Sequence, residues 1–499
     1  MEGPVAGRSV SRRAILGGLT LGAVGAAAAC TAPPSGPGPT AGSASTEAVA
    51  APSPSPPATS STTATPTGPR LPLVLAVHAT RAAGVRASRA VLDAAAAGGA
   101  VSWSDLGASG AATLVRGVSA GGTTSDADAV GAVQAHRDTV AVVRADALGP
   151  AVAAVPVDGV DPVARPDAYP VVVAGDPANP VDPTRIVSTL WVGDVMLGRR
   201  VGQQIAAARD PNLPFSQTAD RLRAADLTVA NLECALSRNG RPTQGGDSFG
   251  ADASSLAGMR DAGFDVLVLA NNHLGDYGDR ALRESLAAAR NGFAMTGAGE
   301  NLAAALEPAV VERKGVRFGV LAFNAIGETP AATSTSAGAL SVRMPPRTGP
   351  LNEEDLARVT DAVRGLRARA DVVVVYPHWG TQYVHDPVPE QRDVGRRLVE
   401  AGATAVIGSH PHWVQGMELH NGRLIAHSLG NFVFDMTFST QVQQGMALEL
   451  VFWGDRPMAA RLWPYRIGDR YVPRWLDGDP EADRILADVW GASTGPFAA

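Results

Sequence analysis

From Ile186 onward the chain repeats one construction, an apolar run of strand length followed by a segment of helical period. The runs IVSTLWVG, DLTVANLE, DVLVLANN, FGVLAFN, DVVVVYP, TAVIGS and LIAHSLG are rich in Val, Ile, Leu and Ala, with few interruptions. Strands of that composition are buried on both faces, so the sheet they form must be covered on each side. Between them, DASSLAGMRDAG, DRALRESLAAARNG and PEQRDVGRRLVEAG read as amphipathic helices, each closed by a glycine at the position of a helix C-cap. The reading is an α/β domain with a buried sheet and no internal repeat.

Polar residues with metal-ligand chemistry stand at the C-terminal ends of these runs. Asp194 follows the first, Asn231 and Glu233 the second, and Asn271, Asn272 and His273 the third. His378 closes the four-valine strand, and His410 and His412 follow TAVIGS. Ligands of open α/β sheets collect at such strand ends, so the motifs are expected to converge on one crevice. Carboxylates, an amide oxygen and imidazoles suit one or two divalent Mn, Fe or Zn ions better than Ca. With only Cys30 and Cys234 in the chain, neither a thiolate cage nor a disulfide framework is available.

Taken singly, several of these residues have plainer readings. Asp194 could cap the helix in LGRRVGQQIAAAR, Glu233 could be a salt-bridged surface carboxylate, and Asn272 with His273 could simply turn the chain. The histidines resist such readings. An imidazole after four valines enters a buried or cleft position, where it needs a partner. His410 and His412, two apart in an extended segment, point the same way.

The run GDVMLGR, NLE, ANNHLGDYG, HWGTQY, GSHPHWVQGME and HSLGNFVFD resembles, in order and approximate spacing, the CapA family of poly-γ-glutamate capsule biosynthesis proteins. The resemblance covers residues 186–465. It implies a metallophosphatase-like αββα sandwich of the calcineurin-like type, preceded here by a small α/β accessory domain. It further implies that Asp194, Glu233, Asn272, His378, His410 and His412 are metal ligands and that His273 is a general acid or phosphate contact. Asn231, Asn271, Trp379, Tyr383, Ser428 and Asn431 would support the ligands or orient substrate. Two positions depart from the pattern. Met196 stands where ordinary metallophosphoesterases carry a histidine, and a thioether is a poor ligand for hard ions. Gln382 stands where the family's HWG-x-E-Y motif carries glutamate, leaving a hydrogen-bonding group but no base there.

The N-terminus reads as an address. Ser11-Arg12-Arg13 opens a twin-arginine pattern, residues 14–29 form a short Gly/Ala-rich apolar segment, and Ala27-Ala28-Ala29-Cys30 resembles a lipobox. The expectation is export over residues 1–30, with Cys30 lipidated and the protein held on the outer face of the cytoplasmic membrane. The plainer alternative is a cleaved signal and a secreted product. Residues 31–70 are almost wholly Ala, Pro, Ser, Thr and Gly, a disordered linker by composition. Residues 71–182 read as a small α/β accessory domain. Its segment VDGVDPVARPDAYPVVV loosely resembles part of a periplasmic solute-binding domain, which leaves a receptor as a third functional reading. His78 and His136 are isolated there and read as packed or surface residues. The main domain is expected over 186–470, with 471–499 as a C-terminal tail.

A formal net charge of −6 and the lack of any basic run exclude an electrostatic nucleic-acid surface. Partners implied are an anionic polymer or phosphoester substrate, the membrane through the lipid anchor, and a polymer synthase or export complex. An acidic chain needs a local basic groove to hold a polyanion. Arg199, Arg200, Arg238 and Arg241 are its candidates, against the plainer reading of solvated surface charge. The two readings that follow are a metal-dependent hydrolase and a non-catalytic polymer-binding factor.

Overall fold

The computed structural model describes residues 69–498. Two sheets form the main body. The first runs in the order Pro473–Trp475, Arg456–Ile467, Gln444–Trp453, Ile186–Val195, Leu227–Leu232, Val266–Val268, Ala294–Thr296, and Asn431–Val433 also pairs with Ile186–Val195. The second runs Ala309–Arg313, Val316–Asn324, Val372–His378, Ala405–Ile407, Arg423–Ala426, Met417–His420. The central neighbours in each are parallel, so their C-terminal ends lie on one side.

Period-two alternation assigns each side chain to a layer. On the four-valine strand, Val372, Val374 and Tyr376 enter the core between the sheets, while Val373 and Val375 face the outer helices. On the first sheet, Val187 and Trp191 point inward and Leu190 and Val192 outward. Helices Arg199–Ala208, Ala219–Ala224, Leu256–Asp261 and Gly278–Arg290 cover the outer face of the first sheet. Helices Glu353–Leu366 and Pro389–Glu400 cover that of the second. Two central sheets with helices on each outer face make the αββα sandwich. The Tyr376 hydroxyl donates to the Val192 carbonyl at 2.8 Å and ties one sheet to the other.

Residues 71–182 build a further five-stranded sheet around Arg70–His78, with helices Arg89–Ala96 and Asp126–Ala135. Its apolar core also takes in Val451, Trp453, Met458 and Ala459 from the hairpin of the first sheet. The Trp453 indole donates to the Val163 carbonyl at 2.8 Å.

Residues 471–499, read from sequence as a tail, carry ordered elements. Strand Pro473–Trp475 extends the first sheet, and helix Pro480–Gly491 buries Ile485 and Val489 in the central core. The Gln444–Trp453/Arg456–Ile467 hairpin also lay outside the sequence reading, because prolines 457 and 464 and interspersed charges mask its alternation. The signal at 1–30 with Cys30, and the linker up to residue 68, lie outside the described residues; Arg70 already opens the first strand. No helix among the described residues is long and apolar enough to cross a membrane.

Candidate metal centre

Asp194 lies within a strand and is not a helix cap. The helix that follows is capped by Gly198, and the Asp194 amide donates to the Gly430 carbonyl at 3.1 Å. The chain crosses here only because position 193 lacks a side chain, for a Cβ on Gly193 would sit 1.8 Å from the Gly430 oxygen. The crossing presents Asp194 at the end of the first sheet beside Asn231, whose amide donates to Asp194 Oδ1 at 2.8 Å. Asn271 donates in turn to Asn231 Oδ1 at 3.0 Å and to the Leu232 carbonyl at 2.8 Å. Its own Oδ1 receives the amides of His273 and Leu274, both at 3.1 Å. A ladder of asparagines thus fixes the loop that carries Asn272 and His273.

From the second sheet come the histidines. His378 ends its strand with Nε2 2.8 Å from Asn272 Oδ1 and Nδ1 2.9 Å from Ser409 Oγ. His410 and His412 both hold left-handed backbone, at φ 97° and 59°, as does Tyr383 at 64°. For residues with a Cβ this conformation is strained, and such strain concentrates at functional sites. The turn brings the His410 amide to within 3.3 Å of Asp194 Oδ2 and His412 Nδ1 to 3.5 Å from the same oxygen. Asn431 Oδ1 lies 2.8 Å from His412 Nδ1.

Glu233 is central to this ring. Its Oε1 is 3.5 Å from His378 Nε2 and 3.8 Å from His273 Nε2. Ligand atoms of Glu233, His410 and His412 lie within 4.8 Å of one another. All of Asp194, Glu233, Asn272, His273, His378, His410 and His412 are buried. Both carboxylate oxygens of Glu233 and both ring nitrogens of His410 are buried without a hydrogen-bond partner. Orphaned groups of this kind each cost about 1–3 kcal/mol, more for a charge, unless something satisfies them. A divalent cation is the partner that the Glu233 oxygens and one ring nitrogen of His410 fit.

The electrostatics agree. Burial, and then repulsion from Asp194 and Asp276, raises the Glu233 carboxyl well above its ordinary range. Burial and the neighbouring imidazoles of His378 and His412 push His410 well below the ordinary histidine value, and burial brings His378 down to about 3. Burial alone would raise Asp194, but His412, His378 and Asn231 hold it below the usual carboxylate value. His378 and His410 are therefore neutral, the form that ligates metals, and a dication would relieve the carboxylate repulsion.

The remaining residues singled out from sequence fall into two groups. Tyr383 borders the centre, its ring 5.9 Å from that of His412 and edge-on to the exposed Phe438. Trp379 and Ser428, expected to support the ligands or orient substrate, make framework contacts. Trp379 turns into the outer core against Phe323 and donates to the His427 carbonyl at 3.0 Å, because the residue after inward-facing His378 points to the opposite face. The Ser428 hydroxyl donates to the Trp413 carbonyl at 2.8 Å and receives the Gly430 amide, holding a turn. Met196 is buried in the outer core, and its sulfur accepts the Gly198 amide at 3.1 Å.

Sequence reasoning passed over Asp276 and Ser409. His273 Nδ1 lies 2.8 Å from Asp276 Oδ2, which also receives the Phe249 amide at 2.6 Å. A carboxylate in that place fixes the orientation and tautomer of the imidazole. The signal was present in HLGD, a carboxylate three residues after the histidine.

Residues 188–436, the segment that carries every one of these ligands, match the family model for the bacterial capsule synthesis protein PGA_cap. Capsule biosynthesis protein CapA of Bacillus anthracis is 30% identical over 250 residues, 49% of this chain and 59% of that protein. PGA biosynthesis protein CapA of Bacillus subtilis (strain 168) is 31% identical over 255 residues, 50% of this chain and 64% of that protein. This chain therefore spans about three fifths of the length of these curated relatives. Among solved structures, a putative 5'-nucleotidase from Staphylococcus aureus in complex with alpha-ketoglutarate is 14% identical, with a TM-score of 0.35 over 61% of this chain and 58% of that one.

Proposed function

Because residues 188–436 belong to the bacterial capsule synthesis protein family, we propose that this chain is an exported, membrane-anchored factor in the synthesis or export of capsule polymer such as poly-γ-glutamate, working through a divalent-metal hydrolase site. The observation that carries the reading is the buried Glu233, unpaired at both oxygens and ringed by buried histidines. Asp194, Glu233, Asn272, His378, His410 and His412 would hold one or two ions of Mn, Fe or Zn. When bound, such an ion supplies Lewis-acid stabilisation of negative charge on a phosphoryl or acyl oxygen.

The chain's own residues provide the rest. Asp276, 2.8 Å from Nδ1 of His273, orients the imidazole so that Nε2, on the Glu233 side, would pass a proton to a leaving group. The asparagine ladder keeps Asn272 and His273 in register with Asp194. Burial of the whole ring excludes bulk water and strengthens each of these interactions. Anchoring rests on Cys30 and export on the twin-arginine pattern, which would place the site on the outer face of the cytoplasmic membrane, near a polymer synthase or exporter.

The test is turnover by the full-length, metal-loaded protein on p-nitrophenyl phosphate, its diester, and a γ-linked glutamate oligomer, wild type beside His273→Gln. Turnover of one bond class, reduced about 10²–10⁴-fold in the variant with metal content unchanged, is the expected result. Bound metal with no turnover of any of the three would contradict the hydrolase reading.

Met196 favours a second reading. With a buried thioether where a ligand histidine would stand, part of the centre is degenerate, and the protein would act as a polymer-binding accessory factor. In that case oligomer binding survives Glu233→Gln.

A further inference from the structure

The first turn after Gly198 carries two arginines that share one carboxylate. Arg199 Nη2 pairs with Asp435 Oδ1, and Arg200 Nε lies 3.3 Å from Asp435 Oδ2. Asp435 is itself buried. Two guanidinium charges on one carboxylate leave one positive charge in excess, and Asp247, which also pairs with Arg199, is 3.9 Å away on an 85% exposed side chain, a distance and exposure that neutralise little.

Arg199 is also placed with care. It holds left-handed backbone at φ 42°, a strained choice for a residue with a side chain. Its guanidinium lies 4.3 Å from the centroid of Phe249, whose ring stacks on His273 at 3.7 Å. One ring, that of Phe249, separates it from His273, so it stands beside the metal centre and not on a remote surface. Its Nε is buried without a partner, whereas the side chain as a whole remains 24% exposed and open to a ligand. The bland alternative, solvated surface charge, does not account for a clamped, strained arginine with an orphaned donor.

The geometry points to Arg199, assisted by Arg200, as the anion-receiving subsite of the metal centre, which holds a substrate oxyanion next to the reacting group. Guanidinium forks match carboxylates and phosphates alike, so the shared chemistry is an oxyanion carried by the substrate. The inference rests on the reading of the neighbouring ring as a metal centre. It supplies the local positive charge that an acidic chain otherwise lacks for an anionic polymer.

The experiment is calorimetric titration of the full-length, metal-loaded protein with inorganic phosphate and, separately, with a synthetic γ-linked glutamate tetramer. Elemental analysis accompanies each sample. Arg199→Gln weakens whichever probe the wild type binds by tenfold or more and leaves metal content unchanged, and Arg199→Lys restores part of the loss. Preference for phosphate or for the tetramer tells which oxyanion the subsite serves. Since Arg199→Gln leaves the buried Asp435 with Arg200 alone, the loss is also measured in Arg199→Gln with Asp435→Asn, which keeps the local net charge and removes the Arg199 fork with the carboxylate that clamps it. Binding within twofold of wild type in both variants, or no binding of either probe by the wild type, overturns the assignment. Intact, Arg199-dependent binding by a wild type that holds no metal would instead overturn the metal reading and leave the anion subsite standing.

Discussion

His78 shows how a single buried side chain sets a pH limit. It ends the Arg70–His78 strand, is 2% exposed, and its Nδ1 accepts the Thr80 amide at 3.3 Å to cap the short turn that follows. Burial, and next the charge of Arg137, brings its pKa down from 6.5 to about 4. A group depressed on folding contributes stability above its unfolded pKa, because below it the unfolded chain binds the extra proton. Protonation would also remove the Nδ1 acceptor. The thermal midpoint is therefore expected to fall between pH 6.5 and 4, and the slope to be shallower in His78→Asn, whose amide oxygen can still accept from Thr80. Equal slopes would rule out this contribution. At the centre itself, the clustering of Asp194, Glu233, Asn272, His378, His410 and His412 was legible from sequence because each stands at or near the C-terminal end of a strand of the same sandwich. Asp276, Ser409 and Arg199 were less so, for their importance comes from a hydrogen bond or stacking partner brought from elsewhere in the chain.

Among elements, the crossing of Ile186–Val195 against the segment at Gly430 is the most constrained. The Gly193 position tolerates no Cβ, and the strand's hydrogen bond from Asp194 to Gly430 depends on that approach. Gly193→Ala is expected to destabilise the fold by about 1–3 kcal/mol, as overpacking does, and to displace Asp194. Chemical denaturation with a metal-binding assay would show both losses, and an unchanged midpoint would show that the backbone moves aside freely. Strands of continuous valine could be placed from sequence, and so could glycine-stopped helices. The Gln444–Trp453/Arg456–Ile467 hairpin could not, since its two faces meet different cores and its residues are chosen for two partners at once.

In the molecule as a whole, that hairpin joins residues 71–182 to the sandwich. Trp453 is 1% exposed and lies in the core of the N-terminal sheet, and Arg456 and Arg461 reach across to Asn179 and Asp161. Such a shared core predicts one unfolding transition for both parts. Trp453→Ala should lower stability by about 3–5 kcal/mol and loosen the N-terminal sheet along with the hairpin, seen as one shifted transition by circular dichroism. Two resolved transitions in the wild type would show that the parts fold independently. The sequence told of an α/β sandwich and of a second α/β region before it. It did not tell that they share apolar packing, because that depends on which face of a two-faced strand each neighbour covers.

Every role proposed for the centre depends on Glu233 and its imidazoles holding a metal. Elemental analysis of the full-length protein, wild type beside Glu233→Gln and His410→Ala, tests it most directly. The prediction is one or two equivalents of Mn, Fe or Zn in the wild type, falling at least tenfold in both variants while circular dichroism shows them folded. A folded wild type that takes up none of these ions when supplied in excess, or variants that retain the full complement, would contradict it.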